Sequence, residues 1–233
     1  MAAKGMRSPL AIAALLLATA PAQAADPVRP TVVELYQSQG CSSCPPANAL
    51  VNALAGRADI LALSFAVTYW DRLGWKDIFG KPEFTARQWD YARAGRRGNV
   101  ATPQMIVNGN AVVTGSNRAA LIAALRKADR GLTGPVISIG RGMASIGAGT
   151  ASRPAMVWLV RYDPRTINVP IGRGENGGRT LPHRNIVRSL TQIGTWRGQP
   201  ARFSLPASSD ARLAAAILIQ DGKGGRILAA RRI

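Results

Sequence analysis

The sequence predicts an α/β domain followed by a mostly antiparallel, β-sandwich-like domain. Three observations predict it. Apolar runs and helical spacings alternate over residues 31–128 in the order β-α-β-α-β-β-α. Residues 131–135 then read Gly-Leu-Thr-Gly-Pro, a linker composition. Beyond them helical spacing disappears, and short apolar or alternating runs are separated by turns rich in Gly, Pro, Asp and Asn. The expected boundaries are a leader at 1–24, the α/β domain at 27–130 and the β-rich domain at 135–233.

Residues 31–36 open the first domain as a strand with β-branched Thr31, Val32 and Val33. A turn at 37–40 delivers Cys41-Ser42-Ser43-Cys44. Ala47, Leu50, Val51 and Leu54 recur at helical spacing, so 47–55 reads as a helix that Gly56 ends. The near-continuous apolar run at 60–67 suits a buried central strand. A loop at 68–82 carries Tyr69, Trp70, Trp75 and Phe79, and a helix follows at 83–94. The strand at 100–107 is interrupted by Pro103, and Asn108-Gly109-Asn110 turns the chain into a strand at 111–114. Ser116 is expected to cap a last helix at 118–128. In the second domain the strand-like runs are 136–139, 155–161, 167–171, 186–190, 201–205, 214–219 and 227–230.

Lys4 and Arg7 precede a short apolar stretch at 10–20, and Ala22-Gln23-Ala24 supplies small residues for cleavage. That is the layout of a secretory signal peptide cut after Ala24, and it implies a periplasmic or secreted protein. The apolar stretch is too short to span a bilayer well, and no later segment reads as a transmembrane helix. The formal charge is +18, from 30 Lys and Arg against 12 Asp and Glu. The basic residues are scattered and no nucleic-acid motif accompanies them, so nucleic acid is not expected as a partner. A membrane surface is a partner that such charge would suit.

Only two cysteines are present, three positions apart. A bridge between them closes a tiny loop and constrains the unfolded chain little, so a structural staple explains the pair poorly. Redox chemistry or metal binding explains it better. At a helix start, unpaired N–H groups and the macrodipole favour a thiolate. Cys41 is therefore expected to be the exposed, acidic nucleophile, and Cys44 the shielded residue that resolves its mixed disulfide. The implied partner is a protein carrying a disulfide or a thiol, and no cofactor or resident metal is expected. One alternative is binding or delivery of a soft metal such as Cu(I), which two thiolates can hold. Another is a non-catalytic binding protein on the same scaffold. Haem attachment of the c type is excluded because Pro45, not His, follows Cys44.

Thr31-Val-Val-Glu-Leu-Tyr36, Gly40-Cys-Ser-Ser-Cys44 and Thr102-Pro-Gln-Met-Ile-Val-Asn-Gly109 resemble glutaredoxins and thioredoxins. More closely, Gly40-Cys-Ser-Ser-Cys-Pro-Pro-Ala47, Tyr69-Trp-Asp71, Arg87-Gln88 and Arg173-Gly-Glu-Asn-Gly177 resemble exported thioredoxin-like proteins grouped as domain of unknown function 1223. The resemblance implies a thioredoxin-like fold for 27–130 and the two cysteine roles. It also implies a cis Thr102–Pro103 bond opposite the pair, leaving an extended edge for substrate. That family carries no settled activity.

Four features have two readings each. Glu34 is either a proton relay for the inner thiol or an ion-paired strand residue. Tyr69, Trp70 and Trp75 either line a substrate groove or form a satellite core. The polar segment from Arg173 to Arg179 is a hairpin tip or a contact loop facing the first domain. His183, the only histidine, reads as structural rather than catalytic.

Overall fold

A computed structural model describes Met1, residues 29–128 and residues 134–233. The expected signal peptide, Met1 apart, and most of the expected linker lie outside the described residues.

The elements run β1 (Thr31–Gln37), α1 (Pro45–Leu54), β2 (Ile60–Ala66), a 3-10 turn (Asp71–Leu73), α2 (Pro82–Ala94), β3 (Gln104–Val107), β4 (Ala111–Thr114) and α3 (Arg118–Arg126). They continue β5 (Ile137–Gly140), β6 (Met143–Ile146), β7 (Ala155–Asp163), β8 (Ile167–Pro170), β9 (Thr180–His183), β10 (Ile186–Trp196), β11 (Ala201–Ser204), β12 (Ala214–Gln220) and β13 (Ile227–Arg232).

The expected thioredoxin-like domain followed by a β-sandwich-like domain is corrected by the sheet. Eight strands from both parts of the chain form one mixed sheet, ordered β13-β12-β7-β10-β2-β1-β3-β4, beside only three short α-helices among the described residues. β1 pairs with β2 in parallel and with β3 antiparallel. On its other side β2 meets β10, where Ile186 pairs with Ser64 and the Ser64 N–H donates to Asn185 O at 3.0 Å. The physical reason lies in β2 itself. All seven of its residues are buried, so its outer edge needs a partner for its N–H and C=O groups. Strand-like runs in a sequence reveal strands, but not which edge they cover.

Alternation along β1 divides the core. Val33 and Leu35 face α1 and pack with Ala47 and Val51, together with Leu121 of α3. Val32 and Tyr36 face α2 and join Phe84 and Tyr91. The same cluster takes Val160, Val187, Leu218 and Ile227 from the later strands, so one core crosses both parts of the chain. β5, β6 and β11 form a three-stranded sheet whose Ile137, Ala144 and Ile146 pack on Val157, Leu159 and Ile217 of β7 and β12. β8 and β9 form a separate hairpin that packs Val169 and Leu181 on Ala66, Phe79 and Ile186.

Helix α3 is capped by Asn117, whose side chain accepts from Ala120 N at 2.9 Å, rather than by Ser116. Either side chain suits a cap, and the expected position was one residue early. Strands β6 and β9 had no legible signal: each is four residues long, and β9 contains Pro182.

Candidate functional site

The cysteine segment is the link between β1 and α1. After β1 ends at Gln37, the Cys41 N–H donates to Ser38 O at 3.2 Å and the Cys44 N–H to Cys41 O at 3.1 Å. Cys41 and Cys44 are joined by a disulfide with a Cα–Cα separation of 5.4 Å. Cys44 is the N-cap of α1, and Pro45 and Pro46 open the helix. Prolines suit the first turn because its N–H groups lack intrahelical partners. They also remove two donors that a thiolate there could have used.

The expected contrast between an exposed Cys41 and a shielded Cys44 is corrected. Both cysteines are 0% exposed, whereas Ser42 and Ser43 between them are open to solvent. The thiol placed at the helix start is that of Cys44. The proline pair sets the first helical residue at 45, three residues later than a cap at Cys41 would need.

Three segments remote in sequence surround the pair. The first is the aromatic loop after β2. Trp70 stands beside Gly40, where an added Cβ would lie 3.6 Å from Trp70 Cβ. The Trp70 Nε1–H donates to Thr102 Oγ1 at 2.7 Å, and the Thr102–Pro103 bond is cis. Trp75 Nε1–H donates to Gln39 Oε1 at 2.9 Å. Tyr69 donates to Gln88 Oε1 at 3.2 Å. Tyr69 and Trp70 rest on the main core, and Trp75 rests on the cluster under the β8–β9 hairpin. All three rings therefore pack as a satellite core would.

Asp77 fixes the backbone just before Cys41. Its Oδ2 accepts from Gln39 N at 2.8 Å and its Oδ1 from Phe79 N at 2.9 Å. Burial raises its carboxyl to about 6 in spite of those donors.

The last segment is the tip of the β8–β9 hairpin, residues 171–179. Asn176 Nδ2 donates to both Gln39 O and Cys41 O at 2.9 Å. Glu175 Oε2 accepts from Ser42 N at 3.0 Å and from Ser42 Oγ at 2.6 Å, and these donors lower its carboxyl pKa. Gly172 lies on the Trp75 ring, where a Cβ would come within 3.0 Å of Cζ3. At the base of the hairpin, Asn52 of α1 donates to Pro182 O and accepts from Arg184 N, both at 3.0 Å. Both readings of this segment hold together: it is a hairpin tip and also a contact loop. Glu175, Asn176, Gln39 and Asp77 carry the contacts, and their polar, Gly-rich setting was the only signal for the first two.

A family model described as "Protein of unknown function (DUF1223)" matches residues 32–220. The chain belongs to the DUF1223 family. The crystal structure of protein AGR_C_4864 from Agrobacterium tumefaciens is similar at 32% identity and TM-score 0.70, over 87% of this chain and 93% of that one. HBP35 of Porphyromonas gingivalis shares the fold at 12% identity and TM-score 0.57, over 88% of this chain and 74% of that one. No curated protein matches the chain.

In this DUF1223 protein Glu34 does not meet the cysteines. It lies on the α2 face of β1, where Arg87 Nη2 reaches Glu34 Oε1 at 2.7 Å and Arg87 Nε reaches Oε2 at 3.0 Å. Tyr36 and Tyr91 also donate to it, at 2.8 and 3.1 Å. The ion-paired reading is the one the geometry supports, because the Glu34 carboxylate is taken up by Arg87, Tyr36 and Tyr91, and α1 packs on the other side of the strand.

His183 is buried against Phe79, with ring centroids 5.8 Å apart, and neither ring nitrogen is hydrogen-bonded among the described residues. Burial lowers its pKa to about 4. Since its folded pKa lies below the ordinary 6.5, the unfolded chain binds its proton first, and stability rises with pH from about 4 to 6.5. Asp77 acts in the opposite sense, because its folded pKa of about 6 lies above the ordinary 3.8, and stability falls over nearly the same window. Urea unfolding of the native chain should therefore depend weakly on pH between 4 and 6. In His183→Met the Asp77 slope is no longer opposed by His183, and stability should fall by on the order of 2 kcal/mol between pH 4 and 6. A flat profile in the variant would remove Asp77 as a buried, perturbed carboxyl.

Proposed function

We propose that this chain is an exported thiol–disulfide oxidoreductase acting through Cys41 and Cys44. The observation that carries the reading is a three-residue disulfide formed by the chain's only cysteines at a strand-to-helix junction. Such a bridge does little to hold a fold together. Cys44 gains the favourable field of the helix start, and Cys41 lies in the loop before it.

In the reducing direction the Cys41 thiolate attacks a substrate disulfide. A Cys41–substrate bond forms, the substrate S–S bond breaks, and the leaving sulfur takes a proton from solvent. Cys44 then attacks Cys41, the second substrate thiol leaves, and two electrons have passed to the substrate. Running backwards, the cycle donates a disulfide.

Insulin reduction by the reduced protein tests the reading. The native chain should precipitate insulin B chain when supplied with dithiothreitol, at a rate above the reductant alone. Cys41→Ser should abolish the gain, and Cys44→Ser should accumulate mixed disulfides visible by mass. Equal activity in the Cys41→Ser variant would reject the assignment.

A further inference from the structure

We infer that residues 171–179 form a cover over the Cys41–Cys44 disulfide, and that Glu175 makes its opening depend on the redox state of the pair. This rests on the thiol–disulfide reading above and names how that site is regulated.

The disulfide is close to the surface but sealed. Ser42 and Ser43 are exposed, yet both cysteines on either side of them have no accessible area. An attacking thiolate must approach a sulfur directly, so no exchange can occur in this closed arrangement.

The closure is held in two different ways. Asn176 is fully buried and ties the hairpin to Gln39 O and Cys41 O. Glu175 and Ser42 are exposed, so their two hydrogen bonds form in water and each is weak. Gly174 and Gly178 bracket this segment with φ of 77° and 79°, a region that glycine enters without steric cost. Residues 175–177 can therefore swing between two permissive positions while Asn52 holds the base of the hairpin.

The charge on Glu175 supplies the coupling. Its carboxylate holds the N–H and hydroxyl of Ser42, the residue next to Cys41. Beside a neutral disulfide that carboxylate meets no opposing charge from sulfur. Reduction leaves a thiolate on one of the two cysteines that flank Ser42 and Ser43, and the two anions repel. The closed cover thus favours the disulfide, and by reciprocity the disulfide favours the closed cover. A reduced pair is released to meet substrate, and the oxidised product is closed off again.

Dithiothreitol is the probe. Its thiolate bonds to one cysteine sulfur as the Cys41–Cys44 bond breaks, and the expelled sulfur takes a proton. Its second thiol loses its proton to solvent, displaces the protein and closes a cyclic disulfide, so two electrons and one proton pass to the pair and one cysteine leaves as a thiolate. Glu175→Ala should be reduced at least tenfold faster than the native chain, with an unchanged unfolding midpoint. Glu175→Gln keeps an acceptor for Ser42 without the charge. It should shift the dithiol–disulfide equilibrium with glutathione about threefold towards the dithiol, the scale of a solvent-screened charge interaction. Amide exchange at 177–179 should be faster in the reduced native chain than in the oxidised one. Reduction of Glu175→Ala less than threefold faster, or equal exchange in both redox states, overturns the cover. If the amides respond but insulin reduction does not depend on Cys41, the cover stands and the oxidoreductase reading fails.

Discussion

Arg87→Met lowers the unfolding free energy of the oxidised protein by about 3–5 kcal/mol, the range for stranding one member of a buried ion pair. Arg87 and Glu34 have 4% and 1% of their side chains exposed. Burial alone would lower the Arg87 pKa, but Glu34 and the Tyr91 and Tyr36 phenols hold it above its ordinary value. Four of its five N–H donors are used. Nη1 reaches Gln220 Oε1 at 2.9 Å, and Nη2 reaches the Tyr91 hydroxyl at 3.1 Å as well as Glu34. Its guanidinium also lies 5.2 Å from the Tyr91 ring and 5.4 Å from that of Trp158. Methionine fills most of the volume but leaves the Glu34 carboxylate with the two phenols as its remaining side-chain donors.

Glu34→Leu alone should cost a similar amount, because it strands the cation instead. The double variant should cost clearly less than the sum, since two apolar groups strand no charge. Arg87→Lys keeps the charge but cannot form the fork, and should fall between the native chain and Arg87→Met. Urea titrations of the four proteins measure this. Additive single effects, or an Arg87→Met loss below 1 kcal/mol, would show that the pair is not coupled.

That cluster also marks the limit of what the sequence could disclose. The strands at 60–66 and 111–114 and the helices at 45–54 and 82–94 were legible because their signals are local: apolar runs, helical spacing and proline at a helix start. The cysteine pair was legible for the same reason. Glu34 and Arg87 are 53 positions apart, and Ser42 and Glu175 are 133 apart. Nothing in a strand glutamate names its cation, and nothing in a Gly-rich tip names the serine it will hold. The division into two domains followed from a real change in composition near 131–135. It did not reveal the shared sheet, because strand pairing between β10 and β2 is a long-range choice, driven by the need to cover a buried strand's edge.

Residues 27–130, produced without the rest of the chain, should show no cooperative unfolding transition. This segment contains the three α-helices of the described residues and the cysteine pair, and its element order looks self-sufficient. Its core is not. On the α2 face the cluster around Val32, Tyr36, Phe65 and Phe84 is completed by Val160, Val187, Leu218 and Ile227. At roughly 1.5–3 kcal/mol for each buried aliphatic side chain, losing these four removes an amount comparable to the whole net stability of a typical domain, about 5–15 kcal/mol. Three further losses act in the same direction. The Ser64 N–H loses Asn185 O, which leaves the apolar edge of β2 open to pairing between chains. Arg87 loses Gln220 and the Trp158 ring, so the buried ion pair faces water where those groups stood. The Asn108 carbonyl at the β3–β4 turn also loses the Ile227 N–H, at 2.9 Å. The expected product is an aggregation-prone chain with weak near-ultraviolet dichroism and a broad, non-sigmoidal urea response. Adding residues 135–233 as a separate chain should restore the sigmoidal transition, because the missing strands then return to β2. A segment 27–130 that unfolds cooperatively by itself would show that the later strands are appended to a finished core rather than part of it.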